Sequence, residues 1–363
     1  MKKGEPIKNA YNRETLTGFA KAIQSVYEPF QVDAYVDAVM DDTWDELELS
    51  GRWIQTTTRL GEYLPSDYKQ AIAILDKVAP LADDWFGIIF PYFVDLFGQD
   101  PAHWDISIPA LARYTVYSSS EFAVRPFIIN REERMMAQMF EWSKDECEHL
   151  RRLASEGCRP ALPWSQALPK YKEDPTPVLP ILEQLKADPS RYVQKSVANN
   201  LNDISKTHPE LVVEIAEKWL GKDKNTDWIV KHACRTLLKQ GNRDALTLFG
   251  FFDGTAIELK DFALSAKSIS LGSDIGFSFA VTTDEPTKLR LEYAIDFMKA
   301  NGKQSRKVFQ ISESELKAGE LRSYDKKHSF ADLSTRKHYP GAHAITLIIN
   351  GAERETLDFE LLP

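Results

Sequence analysis

The sequence predicts a multidomain protein in which an all-α solenoid is followed by an all-β sandwich. Through the first 253 residues, apolar side chains recur at helical spacing. One helical stretch in this part occurs twice, because Tyr192 to Leu201 matches Trp228 to Leu237 at an offset of 36 residues. After Asp253 the apolar side chains instead alternate with a period of two. These periods predict domains of residues 1–253 and 254–363.

The repeated stretch predicts the type of solenoid. A third, looser copy, His149 to Glu156, places Arg152 at the position of Lys195. A period near 40 residues with two helices per unit is typical of HEAT-like solenoids. One-sided stacking of the units would align the cations of successive helices along a concave surface. We call these cations the cationic row: Arg152, Lys195, Lys231 and Arg235.

Several helices are predicted in order along the chain, three of them after short polar capping residues such as Asp67. A run of rings between Ala82 and Phe97 predicts core between packed helices rather than a surface that stacks bases. The predicted helices are Glu14 to Val26, Val32 to Met40, Trp44 to Leu60, Tyr68 to Val78, Arg131 to Trp142, Lys144 to Glu156, and one that starts at Asp188-Pro189-Ser190 and ends at Ile204.

The last of these helices has two faces of different character. Its apolar stripe is Val193, Val197, Leu201 and Ile204. The other face offers a cation, amides and a carboxylate, from Gln194, Lys195, Asn199, Asn202 and Asp203. A solvated face is the ordinary interpretation of such a pattern, and a binding surface is the alternative.

Three further positions carry candidate chemistry. Glu121 and Arg125 are i,i+4 partners if Tyr114 to Ile129 is helical. Glu156 falls in the last turn of its helix, where a carboxylate is unfavourable unless a cation such as Arg152 is near. Trp164 ends a proline-rich loop, which either holds the ring at the mouth of a groove or caps the solenoid.

The C-terminal part is predicted to form a series of short strands. Alternating apolar residues occupy 275–281, 289–297, 343–349 and 357–361, with turn dipeptides at Asn301-Gly302 and Asn350-Gly351. About seven strands in this length predict an immunoglobulin-like sandwich without a core disulfide. Its loop 334–341 holds three potential cations beside a tyrosine, Arg336, Lys337 and His338.

Composition and charge narrow the class of function. The 363 residues carry a formal net charge of −9, but the first hundred hold 9 lysines and arginines against 17 acids, so the acidity lies away from the cationic row. No apolar run is long enough to span a bilayer, and the start lacks the apolar segment of a signal peptide. Three cysteines without a CxxC pair predict neither a disulfide framework nor a metal site. We expect a cytoplasmic protein.

Three motifs carry a resemblance to a known family: YSSSEFAVRPF, EHLRRLASEGCRPALPW and DPSRYVQKSVANNLNDISKTHPE. They resemble the AlkC branch of the AlkC/AlkD family of bacterial DNA alkylation repair proteins, which are HEAT-repeat DNA glycosylases. The C-terminal sandwich is similar to the immunoglobulin-like extension of one AlkC subgroup. The resemblance implies a concave surface that cradles duplex DNA and removes N3-methylcytosine and N3-methyladenine.

Matched motif by motif, the resemblance implies catalytic roles for Glu121, Glu156 and Asp203, with Arg152 and Trp164 at the site. The DNA contacts expected in all are Arg152, Trp164, Lys195, Lys231, Arg235, Arg336, Lys337 and His338. The expected partner is double-stranded DNA with alkylated bases, bound by a monomer without a cofactor, a metal or an obligate protein partner. Such a protein would work in the bacterial cytosol, on the nucleoid when bound to DNA.

The chemistry fits these residue types. A base alkylated on a ring nitrogen is cationic, so its glycosidic bond is already weakened. Carboxylates stabilise the oxocarbenium-like sugar, and one of them can orient or deprotonate water. The rival interpretation is a non-catalytic HEAT scaffold for a protein partner or for an unusual DNA structure, because fold alone does not fix function.

Overall fold

The computed structural model describes residues 6–252, 257–332 and 336–363. The described α-helices are α1 (Arg13–Val26), α2 (Val32–Val39), α3 (Leu49–Tyr63), α4 (Tyr68–Val78), α5 (Ile89–Phe97), α6 (Trp104–Tyr114), α7 (Val124–Asn130), α8 (Glu132–Trp142), α9 (Glu148–Gly157), α10 (Pro169–Glu173), α11 (Leu179–Leu185), α12 (Arg191–Ile204), α13 (Pro209–Trp219), α14 (Lys224–Ala233), α15 (Arg235–Lys239) and α16 (Arg243–Leu248). The described strands are β1 (Ile257–Leu264), β2 (Ser268–Ser270), β3 (Asp274–Thr283), β4 (Thr287–Met298), β5 (Gln304–Leu316), β6 (Arg322–Ser329), β7 (Gly341–Ile349) and β8 (Ala352–Leu362). The predicted fold class, a helical part followed by an all-β domain, is therefore confirmed.

The chain forms two compact units. The first comprises residues 1–207 and 219–233, and the second comprises residues 208–218 and 234–363. Helices α15 and α16 thus belong to the same unit as the sandwich. The domain boundary predicted between residues 253 and 254 lies outside the described residues.

Helix α12 forms as its pattern predicts. Its apolar stripe is buried, and it packs against both α9 and α14. Its polar side is only partly solvated, because Gln194, Asn202 and Asp203 are buried, whereas Lys195 is exposed. A helix enclosed on two sides must satisfy these groups internally. The polar side of α12 therefore takes part in buried interactions of the helical unit.

The helix predicted over Trp44 to Leu60 is interrupted, and so is the segment Tyr114 to Ile129, in which Arg125-Pro126 already disfavours an uninterrupted helix. Residues 44–46 form only a 3₁₀ turn, and α3 begins at Leu49, because the buried Trp44 folds the segment back beneath the Arg52 guanidinium, 4.8 Å away. The segment Tyr114 to Ile129 is also interrupted. Ser120 donates to the carbonyl of Leu111 at 2.8 Å and closes a turn, so α7 begins only at Val124.

The sandwich has a sheet of three strands, β1-β3-β6, and a sheet of five, β2-β8-β7-β4-β5. All pairings are antiparallel except that of β2 with β8. The inward-facing apolar side chains of both sheets form one core, which includes Phe277, Leu291 and Ile345. Asn350 and Gly351 both have positive φ, the type I′ pattern that joins β7 to β8 tightly.

Candidate active site

Glu121 lies in the turn that precedes α7. The Ser119 hydroxyl donates to its carboxylate at 2.7 Å, and the guanidinium of Arg152 forms an ion pair with it. Arg125, the predicted ion-pair partner of Glu121, donates to backbone carbonyls instead. The turn at Ser120 places Glu121 before the start of α7, so the two residues are not one turn apart on a helix. The first carboxylate is thus held by a cation that comes from α9.

Helix α9 supplies Arg152 and, one turn later, Glu156. The Arg152 guanidinium lies 3.6 Å from the Glu156 carboxylate, whereas that of Arg159 lies 2.6 Å from it. The unfavourable position of Glu156 at a helix C-terminus is therefore offset chiefly by Arg159, which the sequence analysis did not single out. Arg152 is engaged by two carboxylates, which leaves less of its charge available to a phosphate, and its role as a DNA contact stays a prediction.

Arg159 also reaches α12. Its Nε donates to the Asp203 carboxylate at 2.8 Å, and Lys206 holds the other oxygen of Asp203 at 2.9 Å. The Asp203 side chain is 2% exposed. Burial by itself lowers the pKa of Arg159, but the charges of Glu156 and Asp203 and the hydrogen bonds to them outweigh burial and raise it.

These contacts join six side chains of alternating sign into what we call the ion chain: Glu121, Arg152, Glu156, Arg159, Asp203 and Lys206. It brings the three predicted carboxylates together on adjacent elements of the first unit. Each carboxylate has at least one cation, so the site can hold three negative charges at once.

Arg125 has a different role from the predicted one. Its buried guanidinium donates to the carbonyls of Gly157 and Arg159, both at 2.9 Å, and of Gln166 at 2.6 Å. Burial lowers its pKa to about 10. Arg125 therefore fixes the backbone of the loop that follows α9, from which Arg159 and Trp164 project.

Trp164 combines two unusual properties. Its φ is +61°, a left-handed conformation that costs a non-glycine residue roughly 1–2 kcal/mol. Its side chain is 82% exposed. The ring lies at a cavity of about 460 Å³, whose lining also includes Glu121, Glu156 and Arg159. Strain in an exposed aromatic residue beside buried charges points to a functional role rather than to packing.

The other cations of the row lie on successive elements. Lys195 is exposed on α12, and Lys231 is half-buried on α14, the next helix packed against it. Arg235 is half-buried on α15, in the second unit. Their alignment into one row stays a prediction.

In the sandwich, only part of the predicted loop is suited to contact an anion. Arg336 and Lys337 line a cavity of about 620 Å³ together with Lys299, Arg306 and Lys307. His338, in contrast, is only 6% exposed and packs against Phe330, and burial lowers its pKa. The buried ring of His338 leaves little surface for a phosphate, and its role as a DNA contact stays a prediction.

Within the described ranges, no group of three or more histidine, cysteine, aspartate or glutamate side chains could hold a metal ion. The described cysteines are free, and burial raises the pKa of Cys158 to about 12. No helix in the described part of the chain combines the length and apolar character that crossing a bilayer requires.

The fold and the site define the class of protein: a helical unit with three carboxylates paired to cations, and after it an immunoglobulin-like sandwich. Comparisons with known proteins identify this class. Residues 112–237 match the family model of the DNA alkylation repair enzyme, and residues 258–363 match that of the YhaZ C-terminal Ig-like domain. The chain is 47% identical over 355 residues to the uncharacterized protein YhaZ of Bacillus subtilis (strain 168), covering 98% of this chain and 99% of the relative.

A solved structure extends the match to the whole fold. The alkylpurine DNA glycosylase AlkC of Pseudomonas fluorescens, solved bound to DNA containing an abasic site analog, is 37% identical with a TM-score of 0.95, covering 99% of this chain and all of that one. The chain therefore belongs to the AlkC-type DNA alkylation repair glycosylases, in the subgroup with a C-terminal immunoglobulin-like domain. The resemblance inferred from the three motifs is confirmed.

Proposed function

We propose that this protein hydrolyses the N-glycosidic bond of cationic alkylated bases, N3-methylcytosine and N3-methyladenine, in duplex DNA for base excision repair. The observation that carries the proposal is the ion chain, which joins Glu121 and Glu156, beside the cavity that Trp164 lines, to Asp203 through Arg159. The kinship to an alkylpurine DNA glycosylase supports the reaction class.

The mechanism follows from the charge on the lesion. A cationic base is a good leaving group, so the bond to the sugar breaks with little help from protonation. Positive charge then develops on the sugar, and carboxylates already held in place stabilise it without reorganisation. Glu121 and Glu156 line the cavity, so either of them could also orient the attacking water.

Binding would use positive charge outside the ion chain. Lys195, Lys231 and Arg235 are the cations that we assign to phosphate contacts on the helical part. Arg336 and Lys337 would contact the duplex from the sandwich and complete a clamp. Bending a site costs on the order of 1–6 kcal/mol, which such contacts must offset. We propose that the protein does this as a monomer in the bacterial cytoplasm.

A direct assay separates this function from a scaffold. The protein is incubated with duplex DNA carrying N3-methyladenine or N3-methylcytosine, without added metal or nucleotide, and free bases are quantified against a protein-free control. A glycosylase releases methylated bases and leaves unmodified DNA intact. Binding without base release would indicate a DNA-structure-binding protein, and no binding would favour a scaffold for a protein partner.

A further inference from the structure

Arg159 occupies a particular place in the ion chain. Among the described residues it is the one cation within ion-pair distance of both Glu156 and Asp203, at 2.6 and 2.8 Å. These two carboxylates come from α9 and α12, which are packed against each other. Arg159 therefore bridges the two helices at the level of the candidate active site.

The backbone of Arg159 is fixed on both sides of its Cα. Its amide donates to the carbonyl of Glu156 at 3.2 Å, and its own carbonyl accepts from the Arg125 guanidinium at 2.9 Å. The direction of the side chain is thus set by buried contacts. Its side chain is only 9% exposed, and Nε and Nη1 are both engaged by carboxylates, which leaves little of it available to a phosphate.

We propose that Arg159 is a positioning residue that holds the carboxylates of Glu156 and Asp203 at a fixed separation, so that both act together on the developing sugar cation. This inference rests on the proposed function. Without the cation between them, the two buried carboxylates would repel each other, and one would take up a proton more readily. A protonated acid stabilises a sugar cation far less than a carboxylate does.

Other charged and titratable groups surround the carboxylates of Glu156 and Asp203. Arg152 faces Glu156 from within α9, and Glu121 faces Arg152 from the turn before α7. Lys206 faces Asp203, and the Arg125 guanidinium lies near the buried Cys158 thiol, whose pKa burial raises. Tyr192 of α12 lies under Arg152 at 5.1 Å. None of these cations spans the two carboxylates as Arg159 does.

The test measures excision by Arg159→Met and Arg159→Lys under single-turnover conditions, with protein in excess over its Kd for a methylated duplex, between about pH 5 and about pH 9. In Arg159→Met we expect the rate constant at neutral pH to fall at least about tenfold, the acid limb of the profile to move to higher pH by about one unit, and Kd to change less than about twofold. Arg159→Lys should recover part of the rate.

Arg151→Met is the matched control. Arg151 lies on α9, the helix before the loop that carries Arg159, and forms a half-buried bidentate ion pair with Asp188 at 2.6 and 3.2 Å, but it has no contact with the ion chain. We expect this variant to lose stability without a change in excision rate or pH profile.

If Arg159→Met fails to fold, the double variant Arg159→Met/Asp203→Asn restores charge balance and is compared with Asp203→Asn alone. Equal rates in those two variants support the inference.

The outcomes separate this inference from the function on which it rests. If the wild-type protein releases no base, the proposed function fails. If the wild-type protein is active and Arg159→Met keeps its rate and pH profile, only the role of Arg159 is wrong. A weaker Kd with an unchanged saturated rate would also overturn it, because Arg159 would then act as a DNA contact.

Discussion

Under the proposed function, single residues of the ion chain lower stability but place negative charge where the sugar cation forms. Taking a carboxylate out of water costs several kcal/mol, and its ion pairs only roughly repay this. Asp203 is nearly inaccessible and meets both Arg159 and Lys206. Such an arrangement adds little to folding, but it holds negative charge in a low-dielectric site, where it acts most strongly on a cation.

A first prediction concerns Trp164. Replacing it by glycine should leave the Tm unchanged or raise it, because the ring is exposed and the left-handed backbone strain of roughly 1–2 kcal/mol disappears. Excision efficiency should fall at least about fivefold if the ring stacks against a base, a contact that contributes about 1–3 kcal/mol. Thermal unfolding and single-turnover excision are measured together.

Trp164→Phe is the control, since it keeps an aromatic ring and the same backbone strain. Its excision should lie between those of the wild type and Trp164→Gly. Full activity of the glycine variant would show that the ring only covers the loop.

At the residue scale, the sequence alone predicted fewer of the site's contacts than the structure shows. Arg159 and Asp203 are 44 positions apart, and no local pattern predicts a contact at that separation. The pair Glu156 and Arg159 could have been found from its i,i+3 spacing, but Gly157 ends the helix between them and hid it. The roles of Glu121, Glu156 and Asp203 were inferred from the family resemblance and stay predictions.

At the scale of elements, sequence patterns worked where helices are regular. The stripe of α12 and the capping residue Asp67 of α4 placed both helices correctly, because the apolar spacing and the N-cap are local signals. Neither the break before α3 nor the place of the break before α7 was predicted, although Arg125-Pro126 disfavours an uninterrupted helix over Tyr114 to Ile129. Both breaks depend on tertiary contacts, namely the burial of Trp44 and the bond of Ser120 to Leu111.

A second prediction tests the cationic row. Lys195→Ala and Lys231→Ala should weaken binding to all duplexes alike and reduce the slope of log K against log salt by about one unit each, because each removes one phosphate contact. Titrations at several salt concentrations measure the slope. Lys69→Ala, which removes an exposed lysine of α4, is the control and should leave it unchanged. Unchanged slopes in both row variants would mean that these lysines do not face DNA.

A third prediction concerns the acid sensitivity of the sandwich. The His328 ring packs against Phe309, and burial, assisted by the charge of Arg336, lowers its pKa from 6.5 to about 4. Above pH 6.5 the imidazole is neutral whether the chain is folded or not. Between about 6.5 and about 4, the unfolded chain binds a proton that the folded one does not, so stability is lost as pH falls through this window.

His328→Phe should therefore reduce the loss of stability between about pH 7 and about pH 5. The loss of the hydrogen bond to Tyr293 adds a constant offset that does not depend on pH. Urea unfolding midpoints at the two pH values measure the difference, with His149→Phe on α9 as the control. An unchanged pH dependence in His328→Phe would show that this histidine does not govern it.

At the scale of the whole molecule, the sandwich and the last helices form one unit. The Asn350 amide donates to the carbonyls of Phe252 and Lys288 at 2.9 and 3.0 Å, tying the segment after α16 to two strands. Cutting the chain near residue 253 would remove these bonds and expose Leu246 and Phe251, which are buried. Point substitutions therefore test the sandwich more cleanly than truncation does.

A fourth prediction follows for the sandwich as a clamp. The double variant Arg336→Ala/Lys337→Ala should lower DNA affinity, flatten the salt dependence by about two units and reduce excision at moderate salt. Lys326→Ala/Lys327→Ala on β6 is the charge-matched control, since its two side chains have the same pattern of exposure. If both double variants bind and excise like the wild type, the sandwich makes no contact with the duplex through Arg336 and Lys337.

If the buried carboxylates of the ion chain carry the reaction, their loss slows single-turnover release of N3-methyladenine from a duplex. The comparison at saturating protein covers the wild type, Glu156→Gln, Asp203→Asn and the control Asp188→Asn. Asp188 is a buried carboxylate whose ion pair, with Arg151, lies outside the ion chain. We predict a loss of at least about tenfold in the first two variants, with Kd within about twofold, and no loss in the control. Wild-type rates in both Glu156→Gln and Asp203→Asn would contradict the account.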